Sequence, residues 1–241
     1  MPARIPFAEL DTVFLDAGNT LVSIDFERVA GELSSRGLAC EPGELRRAEA
    51  AARPRVSAWA HHQGRTEGVD AFTTYLRFAL EALPRPPSAS AELAEEVAAV
   101  VREPGASDRL WCWVLPGTGE ALERLRRLEL RLVVVSNSDG TVKRALANCG
   151  LLSFFDDVVD SHLVGFEKPD RRIFDSALER TGARPEATVH VGDLYHADVL
   201  GARACGIHTA LLDPFDDWGE TDCLRLVDLG ELADSFEGAR S

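Results

Sequence analysis

Four short polar clusters in the chain carry residue types that can do chemistry together: Asp16-Ala17-Gly18-Asn19-Thr20, Ser136-Asn137-Ser138, Lys168-Pro169-Asp170, and Gly192-Asp193 with Asp198 five residues further on. Singly, each has a plain structural explanation, because Asp, Ser and Asn cap helices and form turns wherever they occur. Gathered at one place, the carboxylates of Asp16, Asp193 and Asp198 repel one another unless a cation or a substrate compensates them. Lys168 adds a specific hint. The chain has two lysines against twenty-four arginines, so an ordinary surface charge here is an arginine. A lysine is a compact point charge on a flexible stem, suited to holding one phosphoryl oxygen beside an aspartate. Pro169 disfavours helix at Lys168 and predicts an extended loop there.

The elements that must position these clusters are strand-like. Five apolar runs rich in β-branched residues, Thr12 to Leu15, Leu132 to Val135, Asp157 to Val159, Thr188 to Val191 and His208 to Leu212, are continuous rather than alternating, as buried parallel strands are. Amphipathic stretches separate the later ones: Thr118 to Leu128, Thr141 to Asn148, Arg171 to Arg180 and His196 to Ala204. Strand and helix in alternation predict an α/β fold with a doubly wound parallel sheet. Ligands bind such sheets beyond the carboxyl ends of the strands, which is where the first, second and fourth clusters fall.

More than a hundred residues separate the first two runs, far more than a crossover helix needs. The intervening sequence has helix-like stretches at about Phe26 to Arg36, Pro42 to His61, Glu67 to Leu83 and Ala91 to Arg102, broken at Pro84-Arg85-Pro86-Pro87-Ser88. The expectation is a core of residues 1–24 and 110–241, with a helical cap of residues 25–109 inserted. The segment after Phe215 reads only as a surface tail.

Composition bounds the function classes. Hydrophobic residues make up 45% and charged residues 27% of 241, ordinary values for a globular protein, and no apolar run approaches the length of a membrane span. A net charge of −14 repels nucleic acids and anionic membranes, so neither is an expected partner. No secretory leader is evident at Met1 to Phe7, and a cytoplasmic location is the default expectation. The five cysteines are scattered and read as small hydrophobes rather than a disulfide framework or zinc site. Oligomeric state is not encoded in any pattern seen here.

In order and spacing, the clusters resemble the four motifs of the haloacid dehalogenase-like (HAD) superfamily: Phe14-Leu15-Asp16-Ala17-Gly18-Asn19-Thr20-Leu21, then Val134-Val135-Ser136-Asn137, then Lys168-Pro169-Asp170, then Val191-Gly192-Asp193-Leu194-Tyr195-His196-Ala197-Asp198. The resemblance runs from about Ala8 to Pro214, and the helical insertion fits the branch whose cap follows the first motif. It implies a phosphatase acting on small phosphorylated metabolites, with Asp16 attacking phosphorus to form an aspartyl-phosphate that water hydrolyses. It further implies Mg²⁺ held by Asp16, the Gly18 carbonyl and Asp193, with Asp198 as a further ligand or as support behind the ligands. Ser136 and Asn137 are implied to hydrogen-bond the transferring phosphoryl group, and Lys168 to neutralise charge on it and on Asp16.

One departure stands out. Family phosphatases carry a second aspartate two residues after the nucleophile, to protonate the leaving alcohol and then activate water, and that position here is Gly18. Such acid–base help is worth about 10²–10⁴-fold. Three readings compete: a phosphatase that is slow or restricted to good leaving groups, a catalytically weak phosphate- and metal-binding or regulatory protein, and a haloacid dehalogenase. The last is disfavoured because dehalogenases work without metal, yet Asp193 and Asp198 are both present. Phosphonatases need a cap lysine, and none lies between Asp25 and Arg109. Among other residues, His61-His62 reads as surface, His190 as a core histidine, and His196 as a candidate supporting the fourth motif. Trp111 and Trp113 are expected to pack where the chain returns from cap to core.

Overall fold

A computed structural model describes residues 4–63, 68–102 and 107–240 of the chain. β1 (Thr12–Leu15) and β2 (Val22–Ile24) lead into α1 (Phe26–Ser35), α2 (Pro42–Gln63), α3 (Val69–Glu81), α4 (Ser90–Val101) and a short α5 (Ser107–Leu110). The chain then returns through β3 (Trp111–Val114), α6 (Thr118–Arg127), β4 (Arg131–Ser136), α7 (Val142–Asn148), β5 (Asp157–Asp160), α8 (Ser161–Val164), α9 (Arg171–Thr181) and β6 (Thr188–Gly192). A π-helical turn (Tyr195–Leu200), α10 (Gly201–Arg203), β7 (His208–Leu212), β8 (Leu224–Leu226) and α11 (Leu229–Arg240) complete it.

Six strands form one sheet in the order β5-β4-β1-β6-β7-β8, every pair parallel. Because side chains alternate along a strand, Val13 and Leu15 of β1 face one way and Phe14 the other. Val13 and Leu15 join Leu122 and Leu125 of α6, Leu146 of α7 and Phe236 of α11 in one buried layer, and Phe14 joins Ile173 and Phe174 of α9 in the opposite one. Covering both faces explains why the strands read as continuous apolar runs. The doubly wound α/β expectation is met. β1 lies at the centre, paired with β4 on one side and β6 on the other, so the chain leaves its carboxyl end where the winding reverses.

The helices between β2 and β3 have their own apolar cluster, built from Val29, Leu33, Leu45, Leu76, Leu80 and Val97 among others. Helix bounds match the sequence expectation to within a few residues. The expected start of one helix at Glu67 lies outside the described residues. Several elements differ from the sequence reading. β2 and β3 pair antiparallel as a separate two-stranded ribbon at the base of the helical insertion, and β8 extends the main sheet. The segment after Phe215 is not merely a surface tail, because Leu229, Leu232, Ala233 and Phe236 of α11 are buried against the sheet. No helix among the described residues is long and apolar enough to cross a membrane.

Candidate active site

Asp16 follows directly from the central strand, its N–H donating to the Val191 carbonyl at 2.9 Å. The chain then turns tightly, with the Ala17 carbonyl accepting from the N–H groups of Leu21 at 2.9 Å and Val22 at 3.0 Å. Asn19 takes up a left-handed φ of 52°, which asparagine tolerates better than most residues. Gly18 thereby comes to line a cavity of about 150 Å³ that opens over Asp16.

Lys168 is nearly sealed from solvent and bridges two aspartates, its Nζ lying 2.7 Å from both Asp16 Oδ1 and Asp198 Oδ1. Its backbone is held by Asn137, whose side-chain oxygen accepts from Lys168 N–H at 2.7 Å and whose amide donates to Lys168 O at 3.0 Å. Burial works to lower the Lys168 ammonium, but Asp16 and Asp198 outweigh it and hold the pKa above the usual lysine range. Asp198 is equally committed. Its Oδ1 also accepts from His190 Nε2 at 2.9 Å, and its Oδ2 accepts from Leu194 N–H at 2.9 Å. Burial works to raise the Asp198 carboxyl, yet Lys168 and His190 prevail and lower it, so it stays ionised. Burial lowers His190, leaving a neutral ring whose Nε2–H donates. Gly192 makes this possible, since a Cβ there would lie 2.1 Å from Asp198 Cγ.

Asp193 is different. Its Oδ2 is buried without a hydrogen-bond partner, with Arg53 Nε of α2 at 3.6 Å, beyond hydrogen-bond reach. Arg53 is itself buried and paired with Glu49 one turn earlier, at 3.0 Å and 2.8 Å. Glu49 accepts from the Asn19 amide at 3.0 Å, and Asn19 accepts from Ser23 Oγ at 2.6 Å. A helix of the insertion is thus tied by buried polar bonds to the loop that follows Asp16. Arg53 Nη1 and the Tyr75 hydroxyl of α3 are also buried without a hydrogen bond. Leaving such a group unsatisfied costs about 1–3 kcal/mol. The orphans on Asp193, Arg53 and Tyr75 lie within electrostatic reach of one another, so a polar ligand bound there would find partners.

Asp16, Asp193 and Asp198 each offer an oxygen within 4.8 Å of the others. Burial pushes the Asp193 carboxyl well above the usual range, partly opposed by Arg53 and reinforced by Asp16 and Asp198. Burial likewise raises Asp16, against the pull of Lys168. Around this point four buried carboxylates, counting Glu49, face two buried cations, Lys168 and Arg53. The uncompensated charge, the oxygen-only donors and the orphaned Asp193 Oδ2 fit a hard divalent cation.

The sequence profile of the haloacid dehalogenase-like hydrolases matches residues 10–206. The chain belongs to the haloacid dehalogenase-like hydrolases. Among its relatives, haloacid dehalogenase-like hydrolase domain-containing protein 3 of Xenopus laevis is 31% identical over 76% of this chain and 75% of its own length. The glyceraldehyde 3-phosphate phosphatase of Methanothermobacter thermautotrophicus is 43% identical over 41% of this chain and 44% of its own. The chain thus spans under half the length of that relative and of several others it matches. In solved structures, the fold is shared with the HAD-hydrolase YfnB of Bacillus subtilis bound to magnesium, at TM-score 0.64 and 18% identity over 94% of this chain and 98% of that one.

In this HAD-like hydrolase, Asp16, Gly18, Ser136, Asn137, Lys168, Asp193 and Asp198 all line the same cavity. The Asn137 side chain grips the Lys168 backbone from both ends. His196 faces the insertion, stacking on His61 with centroids 4.5 Å apart and bonding Ser57 Oγ at 3.0 Å. Sequence reasoning missed Glu49, Arg53 and Tyr75. Glu49 and Arg53, at i and i+4, look in sequence like any solvated helix pair. Only their burial against the core distinguishes them.

Proposed function

We propose that this hydrolase is a Mg²⁺-dependent phosphatase of small phosphorylated substrates, working through an aspartyl-phosphate on Asp16. The observation that carries the reading is the lysine bridge: Asp16 is held by Lys168 at 2.7 Å at the end of the central strand, beside an Asp193 whose Oδ2 has no hydrogen-bond partner. Asp16 and Asp193, with the Gly18 carbonyl, would hold the ion. Bound there, it supplies positive charge that offsets the phosphoryl oxygens. Asp198 has both oxygens engaged, so its part is to fix Lys168 and add negative charge. The free oxygen of Asp16 attacks phosphorus, Lys168 and Ser136 stabilise charge on the transferring group, and water then releases phosphate from Asp16.

The test is phosphate release from a panel of small phosphate monoesters, with Mg²⁺ and with excess EDTA. Turnover is expected only with the metal, and acid-quenched enzyme is expected to carry one phosphoryl group on Asp16. Asp16→Asn is expected to lower kcat by about 10⁴-fold or more. Retained activity in that variant would refute the nucleophile. Gly18 favours a second reading, a protein that binds phosphate and metal without efficient turnover, and binding with no phosphate release from any ester would select it. Dehalogenation of 2-haloacids in EDTA would select the dehalogenase instead.

A further inference from the structure

Gly18 is not simply a missing side chain. The indole of Trp111 lies over it, and a Cβ built on Gly18 would sit 3.2 Å from Trp111 Cζ3 and 3.6 Å from Cη2. A side chain at this position is therefore crowded from its first carbon, and the ring would have to give by a few tenths of an ångström to admit it. Three more rings from the insertion line the same cavity: Trp59 of α2, and Phe72 and Tyr75 of α3. Tyr75 lies 6.2 Å from Trp111 and 5.8 Å from Phe72, centroid to centroid. The four rings share the cavity lining with the polar Asp16, Ser136 and Lys168, with aliphatic side chains such as Val56 and Leu110, and with Arg102. Its volume, about 150 Å³, is on the scale of a protein cavity that accepts benzene.

Leaving-group chemistry points the same way. An alcohol departs as an alkoxide whose conjugate acid is about as weak as water, and so needs a proton donor. A phenol, like a tyrosine side chain, ionises near about 10 and can leave without one. A site that lacks the acid and surrounds the leaving group with rings suits an aryl oxygen on both counts.

We propose that the substrate class of this site is a phosphate monoester of a monocyclic phenol, its ring seated among Trp59, Phe72, Tyr75 and Trp111. The proposal rests on the reading of Asp16 as a phosphoryl acceptor. An Asp16 oxygen forms the bond to phosphorus while the P–O(aryl) bond breaks, its electron pair leaving on the phenolate, which takes a proton from solvent. Water then attacks phosphorus, the P–O(Asp16) bond breaks, the carboxylate is restored, and the water's protons pass to phosphate and solvent.

Four substrates separate ring recognition from leaving-group ability: phenyl phosphate (both), benzyl phosphate (ring only), acetyl phosphate (leaving group only) and glycerol 3-phosphate (neither). With Mg²⁺, phenyl phosphate is expected to have the highest kcat/KM. Benzyl phosphate is expected to inhibit phenyl phosphate turnover with a Ki close to the Kd of phenyl phosphate but to lose about 10²–10⁴-fold in kcat/KM, which reports formation of the phosphoenzyme and carries the usual worth of the absent acid. Trp59→Ala, at a half-buried position, is expected to raise KM for phenyl phosphate about tenfold and that for acetyl phosphate far less. Gly18→Asp combined with Trp111→Leu is expected to raise benzyl phosphate turnover, whereas Gly18→Asp alone is not. A kcat/KM for glycerol 3-phosphate equal to or above that for phenyl phosphate overturns the aromatic assignment while leaving the phosphatase reading intact. Failure to release phosphate from any of the four, with no phosphoryl group on Asp16, overturns both.

Discussion

At the scale of single residues, the site depends on a lysine that cannot be exchanged for another cation. Lys168 places one nitrogen 2.7 Å from two carboxylates in a space closed to solvent. A guanidinium is a planar fork and cannot present one point charge to both oxygens there. Lys168→Arg is therefore expected to fold but to lose kcat by about 10²-fold or more, measured against the folded fraction by circular dichroism. Wild-type kcat in that variant would mean that the bridge is structural only. Gly192 has the same all-or-nothing character, because any Cβ there collides with Asp198, the residue that holds Lys168.

At the scale of elements, α2 is the piece that brings buried charge to the site. Glu49 and Arg53 are both almost wholly buried, so removing one strands the other. Arg53→Met is expected to cost about 3–5 kcal/mol, read from the urea midpoint. The double variant Glu49→Met with Arg53→Met is expected to recover much of that loss, since well-packed apolar residues often replace a buried pair at little cost. Equal destabilisation in single and double variants would rule out charge stranding as the cause. α11 makes a different contribution. Phe236 is fully buried and meets Phe7 edge-on at 4.9 Å between centroids, so Phe236→Ala is expected to cost about 3–5 kcal/mol without changing KM. A loss under 1 kcal/mol would show that α11 is dispensable for the sheet.

At the scale of the whole molecule, two apolar cores meet across a polar seam. The sheet has one set of clusters and the inserted helices another, and Trp111 packs against both. The seam holds the Asn19–Glu49 bond, the exposed pair Arg47–Asp217 at 2.8 Å, and the more distant pair Arg102–Asp139 at 3.9 Å. It also holds the acidic cluster. A ligand that binds only the folded arrangement stabilises it by mass action, so Mg²⁺ at about a hundred times its Kd is expected to add about 2.7 kcal/mol. For a chain of this size that moves Tm by roughly 5–10 °C. Differential scanning with and without EDTA measures it, and Asp193→Asn is expected to remove the shift. An unchanged Tm in wild-type protein would exclude a folded-state cation site.

The sequence by itself determined the sheet and the motif residues, because both are local signals. A buried parallel strand is a short apolar run, and a residue that ends such a run lies at the ligand-binding edge wherever the strand sits. Asp16, Ser136 and Asp193 were legible for that reason, Lys168 because it is one of two lysines against twenty-four arginines, and Asp198 from its place in the fourth motif. α11 was also legible in principle, since Leu229, Leu232, Ala233 and Phe236 have helical spacing, but the polar residues around them hid it. β2 and β3 were not, being strands of three and four residues that exist only because distant segments pair. Tertiary structure alone decided which ordinary-looking residues became part of the site. Glu49 and Arg53 are a surface-type pair until the core covers them, and Gly18 is an absent acid until Trp111 is seen lying over it. Those facts depend on contacts between segments 30 to 90 residues apart, and no local pattern of residue types encodes such a contact.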